Sequence, residues 1–461
     1  MLEFTSMSDG IHLITPPKIT LRLPHPSSAP NGRMASLRQT VVLMFTLSRS
    51  CTVLQKSHGS PGNRLSNDGS NRFVETTLQY VLTYLQHLPS SHRSSETFAE
   101  LSGILDITII ADDDYYSTNP NLRRSGTFTH FGISLSNAHK TGLGSSAALV
   151  TALTAALLIT FTSPPSTVIP TVLQQHIHNL AQCAHCASQG KVGSGFDVAA
   201  AVYGSCLYRR FTPAILESVG DSHSQGFGER LHRCVEDLEL DHRWDVEILS
   251  HAVRVPESLR LVMCDVDCGS ETPGMVKQVL AWRKERPEEA SLLWGALQRG
   301  TDDLCAELKR LSRLEDLTGQ TASQSETTQH GPRKTSVDHG ETFTELRDVI
   351  QTIRSLVREM SEKSGVPIEP KVLTELLDAC SVVPGVIGGF CPGAGGYDAV
   401  ALLIKNDEHV LNGLSSTLAG WKSATETGSG AVIGKVNLLG VKQDVEGLRI
   451  ENPSRYREWT E

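Results

Sequence analysis

HKTGLGSSAALVTALTAALL, residues 139–158, places two glycines and two serines directly before a long apolar run with helical character. The start of a helix exposes about four backbone N–H groups without partners, and the helix dipole adds partial positive charge there. Glycines ahead of such a start let the backbone wrap closely around an anion. An ordinary serine N-cap on a buried core helix explains the same residues. This stretch alone leaves both interpretations open.

The composition excludes several classes of function. The formal net charge of −9 comes without a long basic block, and aromatic residues make up only 5% of the chain. These features argue against nucleic acid or a membrane surface as the partner. The N-terminal residues lack a secretion-signal pattern, and no apolar run reaches the roughly 18 to 20 residues of a membrane span. The ten cysteines have no small-scaffold spacing, which predicts reduced thiols in the cytoplasm. No obligate protein partner is indicated.

Length and local composition predict the organisation of the chain. A chain of 461 residues is too long for one compact core, so two domains are expected. We predict an atypical, partly disordered segment over residues 1–70 and domains over 71–255 and 256–450. The polar stretch 319–340 predicts a disordered insertion. Helical patterns alternate with strand patterns that look antiparallel, which predicts an α+β fold.

Two further glycine-rich elements resemble the opening stretch. GKVGSGFD (190–197) places Asp197 at the start of a helix of small residues, and CPGAGGYDA (391–399) places Asp398 ahead of a buried strand. Either element alone is typical of an ordinary turn. Three on one chain favour loops that converge on a phosphorylated ligand. The only Walker-like stretch, GSGAVIGKV (428–436), has the wrong spacing and is discounted.

Together, GLGSSAA, SGFD and GAGGYDA resemble the GHMP kinase superfamily. Longer stretches such as FVETTL (73–78) and MCDVDCGSETPGMVKQVLAWRK (263–284) are similar to the fungal phosphomevalonate kinase family within it. The resemblance implies a two-domain fold, with an N-terminal ATP-binding domain like domain 2 of ribosomal protein S5 and a ferredoxin-like C-terminal domain. It also implies ATP and Mg²⁺ as cofactors, and transfer of the γ-phosphoryl group to 5-phosphomevalonate. The products would be 5-diphosphomevalonate, an intermediate of isoprenoid and sterol synthesis, and ADP.

The resemblance also implies roles for single residues, carried over from the matching motifs. The catalytic pair would be Asp197 and Lys191, and Ser146 would bind Mg²⁺. The ATP phosphates would lie on Lys140, Gly142, Leu143, Gly144, Ser145, Ser146 and Ala147. The substrate would contact Ser194, Gly195, Ser270, Thr272, Lys277, Gly393, Ala394, Gly395 and Gly396.

The chemistry of the reaction adjusts one of these roles. The nucleophile would be a phosphate oxygen, whose second pKa is about 6, so it is largely ionised at neutral pH. The acceptor phosphate then rarely carries a proton for Asp197 to remove. We expect it to orient the metal or a neighbouring cation, with a general-base role as the second choice.

The chain departs from the family pattern near its N-terminus. The family begins with a motif resembling SAPGKVLLAGGYLVLD, whereas this chain has SSAPNGRMASLRQ (27–39), with Asn31 inserted and Arg33 at the place of the lysine. A wrong exon boundary and a real loss of activity both fit this departure. Two alternatives therefore stay open: another GHMP kinase, acting on mevalonate or homoserine, or a nucleotide-binding remnant without turnover. The metal-binding glutamate of mevalonate kinases corresponds to a place around Cys186.

A zinc site is a competing interpretation of the cysteines. CAHC (183–186) and CDVDC (264–268) could supply thiolates. The first pair lies in a helical pattern with both cysteines on one face, and the second has the wrong spacing. Core or ligand-lining cysteines are the favoured interpretation. The neighbouring histidines, His176, His178 and His185, are expected at the surface or in structural roles.

Overall fold

A computed structural model describes the chain in segments. These are residues 11–14, 18–22, 39–46, 71–89, 105–110, 115, 143–162, 168–250, 252–266, 272–325, 343–423, 435–439, 443 and 445–450. The chain divides into two units. The N-terminal unit takes the described parts of Thr15–Gly204, Arg210–Glu247 and Asp444–Glu461, and the C-terminal unit takes those of Met1–Ile14, Ser205–Arg209 and Ile248–Gln443.

Helices and strands alternate along the described chain. The strands are β1 (Ile11–Ile14), β2 (Lys18–Arg22), β3 (Gln39–Thr46), β4 (Leu105–Ile110), β5 (Cys206–Arg209), β6 (Glu247–Ser250), β7 (Leu259–Val266), β8 (Val386–Phe390), β9 (Ala399–Lys405), β10 (Val436–Leu438) and β11 (Leu448–Ile450). The helices are α1 (Arg72–His87), α2 (Ser145–Thr162), α3 (Thr171–Gln189), α4 (Phe196–Tyr203), α5 (Ala214–Glu217), α6 (Phe227–Val235), α7 (Thr272–Glu285), α8 (Pro287–Ser325), α9 (Thr344–Ser364), α10 (Lys371–Ser381) and α11 (Glu408–Gly420). The end of α8 covers residues 319–325, where the sequence predicted disorder, and residues 326–340 lie outside the described residues.

The N-terminal unit packs helices against a mixed sheet. The strand order is β11-β2-β3-β4, and only the β2–β3 pair is antiparallel. Helix α2 lies against β2 and β3, and it also packs on α1 and α3. Its residues are apolar on all sides, which is typical of a helix buried in a core. Among the described helices only α2 has the length and hydropathy of a membrane span, and 72% of that window is buried inside the protein.

The C-terminal unit is built around an antiparallel sheet. Its strand order is β10-β7-β9-β8. Along the chain, the sheet is formed in the succession strand, helices, strand, strand, helix, strand, which is the ferredoxin-like arrangement that the family resemblance implied. A separate sheet in the order β1-β5-β6 completes the described strands. The α+β prediction is confirmed.

A buried ion pair holds part of the C-terminal unit together. The guanidinium of Arg354 on α9 is fully buried and donates to both carboxylate oxygens of Glu369, at 2.8 and 3.3 Å. Arg358 and Thr374 donate to the same carboxylate at 3.1 Å. Arg354 also donates to Asp378 at 2.9 Å, so its charge is compensated on two sides. The geometry is bidentate, which makes this ion pair among the strongest side-chain contacts available to a protein.

The same segment supports the glycine-rich turn between β8 and β9. The carbonyl of Ile368, next to Glu369, accepts a hydrogen bond of 3.0 Å from the N–H of Gly396. Gly395 lies so close that an added Cβ would stand 2.2 Å from that carbonyl oxygen, and its φ is +77°. Only glycine fits such a position. The turn is therefore fixed in part by backbone packing within its own unit.

Candidate active site

The glycine-rich opening stretch forms the start of helix α2. Gly144 has a φ of +75°, and its carbonyl accepts the N–H of Ala148 at 3.1 Å, so the helix begins at Ser145. Leu143, Gly144, Ser145 and Ser146 are half-buried, and Ala147 is buried. The N–H groups of this first turn have no intrahelical partners, as at any helix start. Two further residues of the predicted phosphate set, Lys140 and Gly142, lie outside the described residues.

Asp197 lies beside this helix start. It occupies the first turn of α4, and its Oδ1 accepts the N–H of Val198 at 2.9 Å. A Cβ added to Gly144 would stand 3.5 Å from the Cβ of Asp197, which is ordinary van der Waals contact. The aspartate side chain is 23% exposed, so it can reach a ligand. The structure therefore brings the GLGSS and SGFD motifs together.

His185 joins the two motifs and was missed as a site residue from the sequence. Its Nε2 lies 3.1 Å from the Ser146 hydroxyl and 3.9 Å from Oδ2 of Asp197. Its side chain is 3% exposed, so of the two expected placements, at the surface or in a structural role, the surface is ruled out for it. His178 is also buried. Cys186, the place matched to the family's glutamate, is buried one residue further along α3.

A repeated pattern of histidine and glutamine on α3 could have indicated His185 and its neighbours from the sequence alone. His178, Gln182, His185 and Gln189 recur at spacings of four, three and four residues, which places them on one face of the helix. The Gln182 amide lies 3.2 Å from Nε2 of His178 and donates to the carbonyl of Gly195 at 2.7 Å. The face thus runs from the core of the unit to the turn that carries Asp197.

Gly195 has no room for a side chain in this arrangement. Its φ is +75°, and an added Cβ would stand 2.7 Å from the Gln182 amide oxygen and 2.8 Å from the ring of Phe211. We predict that Gly195→Ala displaces the turn and lowers kcat by about tenfold to a hundredfold, because misplacement of catalytic groups by an ångström has effects of this order. Steady-state kinetics check this. Gly420→Ala, where an added Cβ also meets nothing within 4 Å, is the matched control at a glycine outside the predicted site. Equal kcat values for the two variants would contradict the prediction.

His178 makes stability depend on pH. Burial lowers its pKa from 6.5 to about 4, although the hydrogen bond to Asn179 opposes this shift. Between these pH values the unfolded chain binds a proton that the folded protein does not, so stability falls as the pH falls from about 6.5 towards 4. We predict that wild type loses about 3 kcal/mol relative to His178→Gln over this window. Denaturant unfolding at pH 7 and pH 4 checks this, and a constant difference between the two proteins would contradict it.

The turn before Asp197 is held by Arg210. Its guanidinium donates to the carbonyl of Gly193 at 2.8 and 3.1 Å and to that of Val192 at 3.3 Å. Lys191 lies in the same turn, exposed, with its N–H on the carbonyl of Cys186 at 3.2 Å. Ser194 is half-buried there. Arg210 was not predicted as a site residue.

A cavity of about 230 Å³ opens beside this turn. Lys191, Tyr80, Cys183 and Cys186 contribute to its lining. Burial raises the pKa of the Cys186 thiol to about 11, and the contact with Cys234 together with burial raises that of Cys183 well above its usual range. Both thiols are therefore neutral at physiological pH, which suits the lining of a cavity better than a metal site.

The remaining predicted substrate residues lie in the C-terminal unit. Lys277 is exposed on α7, which begins at Thr272. Gly393, Gly395 and Gly396 all have positive φ in the turn before β9, where Ala394 is buried. Ser270 lies outside the described residues. The roles of these residues stay predictions.

Comparisons with known proteins identify the family of the chain. The model of the GHMP kinases N terminal domain matches residues 122–205, which include both motifs. The phosphomevalonate kinase of Aspergillus fumigatus is 50% identical over 85% of this chain and 76% of its own length. That of Gibberella zeae is 46% identical over 84% of this chain and 78% of its own length. A solved Lin0012 protein from Listeria innocua shares the fold, with a TM-score of 0.50 and 17% identity over 93% of this chain and 99% of that one. The chain belongs to the phosphomevalonate kinase family.

Proposed function

We propose that this protein transfers the γ-phosphoryl group of ATP to 5-phosphomevalonate, giving 5-diphosphomevalonate and ADP. The observation that carries the proposal is the position of Asp197 beside Gly144 at the start of α2, in a chain of this family. A helix start preceded by glycine binds phosphate groups, and a carboxylate beside it lies where the transferred group would be. Phosphoryl transfer depends mainly on positioning and on charge stabilisation, which this arrangement can supply.

The described residues fit a Mg²⁺ ion bound together with nucleotide. The Ser146 hydroxyl and the Asp197 carboxylate offer hard oxygen ligands for a metal ion. They are close neighbours, since they lie 3.1 and 3.9 Å from the same nitrogen, Nε2 of His185. No three His, Cys, Asp or Glu residues in the described part of the chain could hold a metal by themselves. Nucleotide phosphates would therefore complete the metal's ligand shell, as is usual for Mg²⁺. When bound, the ion would neutralise charge on the phosphate oxygens.

Protein cations are needed because two anionic phosphates must meet. Lys191 would supply charge from the exposed turn beside Asp197. Arg210 donates to two carbonyls of that turn, those of Val192 and Gly193, and so fixes the backbone from which the side chains of Lys191 and Ser194 extend. Asp197 would orient the metal or Lys191 and would not need to remove a proton, since the acceptor phosphate is largely ionised at neutral pH. Lys140, Ser270, Thr272, Lys277 and the glycine-rich turn at 393–396 would complete the binding of ATP and substrate.

We also propose the cytoplasm as the compartment. The eight cysteines among the described residues are free thiols, and the sulfur atoms of Cys183 and Cys234, which are in contact, are 4.0 Å apart, about twice the length of a disulfide bond. Free buried thiols are typical of a reducing compartment.

The test is ADP release measured with ATP, Mg²⁺ and one acceptor at a time. We expect turnover with 5-phosphomevalonate and background rates with mevalonate and homoserine. Turnover with one of the other two acceptors would instead support a different GHMP kinase. ATP binding without ADP release for any acceptor would support a nucleotide-binding protein without turnover.

A further inference from the structure

The imidazole of His185 meets three polar groups at one nitrogen. Its Nε2 lies 3.1 Å from the Ser146 hydroxyl, 3.3 Å from the Gln189 amide nitrogen and 3.9 Å from the Asp197 carboxylate. The ring also packs against Phe73, with centroids 5.8 Å apart. With only 3% of the side chain exposed, water competes little for this nitrogen. His185 therefore has a fixed position beside both motifs of the site.

The neighbours of Nε2 indicate which group donates. An amide nitrogen such as that of Gln189 can only donate, so its placement fits an Nε2 that carries no proton. The single lone pair of that nitrogen is then shared by two donors, of which the Ser146 hydroxyl is the nearer, at 3.1 Å against 3.3 Å. A serine hydroxyl has one proton and two lone pairs. If Nε2 accepts the Ser146 proton, both lone pairs of the serine oxygen remain for a ligand. The opposite direction, with Nε2 donating, would occupy a lone pair that a cation needs.

We propose that His185 is a positioning residue, which holds the Ser146 hydroxyl with its oxygen lone pairs turned towards the Mg²⁺ ion of a bound nucleotide. The proposal rests on the proposed function, since it requires that Ser146 binds the metal. It explains why a histidine is buried beside the place where the resemblance implied a glutamate. A neutral imidazole cannot replace a carboxylate as a source of charge, but it can orient the hydroxyl that coordinates.

The variants His185→Asn and His185→Gln separate this role from a structural one. The asparagine amide occupies only the part of the imidazole ring nearest to Cβ, around Nδ1, so it is too short to reach the Ser146 hydroxyl. The amide oxygen of glutamine extends to about the place of Nε2 and can accept the serine proton. Both residues are polar and smaller than or similar to histidine, so both keep hydrogen-bonding groups within the pocket. His232→Gln, at a half-buried histidine of the same unit that stacks on Tyr84 with ring centroids 5.8 Å apart, is the matched control.

The readout is ADP affinity by isothermal titration calorimetry, with Mg²⁺ and with a chelator. We expect His185→Asn to weaken ADP binding about tenfold in Mg²⁺, the effect of one lost hydrogen bond, and to leave the chelator value unchanged. His185→Gln should retain most of the Mg²⁺ effect. Ser146→Ala, which removes the ligand itself, should lose at least as much as His185→Asn, and the double variant should lose no more than Ser146→Ala alone, because His185 acts only through Ser146.

Three results would overturn the proposal. One is unchanged Mg²⁺-dependent affinity in His185→Asn, the second is an equal loss with and without Mg²⁺, and the third is additive losses in the double variant. If the variants do not fold, the imidazole ¹⁵N spectrum of the wild-type protein decides. An unprotonated Nε2 at His185 supports the proposal and a protonated one contradicts it. Because ADP binding needs no turnover, a protein that binds Mg²⁺ and ADP in this way without kinase activity would refute the proposed function alone.

Discussion

An Asp197→Ala variant is expected to lose about a thousandfold in kcat with ATP and 5-phosphomevalonate, which is the range for removal of a preorganised charged group at a phosphoryl-transfer site. The side chain lies beside Gly144, where an added Cβ would stand 3.5 Å from the Cβ of Asp197, and it is 23% exposed. Among the described residues, its carboxylate accepts one hydrogen bond, from the N–H of Val198, and lies 3.9 Å from Nε2 of His185. Its removal should therefore change thermal stability little. Steady-state kinetics and a thermal unfolding curve for the same preparation check both parts.

Two further variants of the same type sharpen this result. Asp241→Ala removes an exposed carboxylate of the same unit and should keep wild-type kcat. Asp197→Asn keeps the shape of the side chain and removes its charge, so it should lose nearly as much as Asp197→Ala if charge is what Asp197 supplies. Near-normal turnover in Asp197→Ala would contradict the assigned role.

An Arg354→Met variant is expected to lower the free energy of unfolding by about 3 to 5 kcal/mol, because it leaves the Glu369 carboxylate buried with its main partner removed. The arginine side chain is fully buried and bidentate on Glu369. Among the described residues, Arg358 and Thr374 remain to donate to that carboxylate. Urea unfolding, followed by a probe in the C-terminal unit, measures the change.

The double variant Arg354→Met with Glu369→Met is the control for this interpretation. Replacing both charges by apolar groups should recover much of the loss, because burial of an uncompensated charge is the source of the effect. A loss below about 1 kcal/mol in the single variant would mean that the buried carboxylate is solvated or neutralised in another way.

The local parts of the site could be predicted from the sequence. Glycine before an apolar run predicted the start of α2, and the short SGFD turn predicted a helix that begins beside Asp197. Both depend on backbone conformation over a few residues, which local sequence determines. The α+β fold followed from alternating periodicities for the same reason.

The polar contacts that join these parts could not be predicted in the same way. His185 meets a serine 39 residues earlier in the chain, and Gln182 meets a carbonyl 13 residues later. Such pairs depend on how the helices pack against one another. The packing cannot be read from single polar residues on a helix that carries both polar and apolar residues. The repeated His/Gln face of α3 was visible, but a surface position explained it equally well until the packing was known. Arg354 and Glu369 form a contact of the same kind.

The central claim is that this chain joins two phosphates, and ³¹P NMR of the reaction mixture tests it most directly. With ATP, Mg²⁺ and 5-phosphomevalonate we predict that the monoester resonance of the acceptor is replaced by the two coupled resonances of a diphosphate ester. One ADP should form for each diphosphate ester. Loss of ATP with release of inorganic phosphate, or an unchanged acceptor resonance, would contradict the claim.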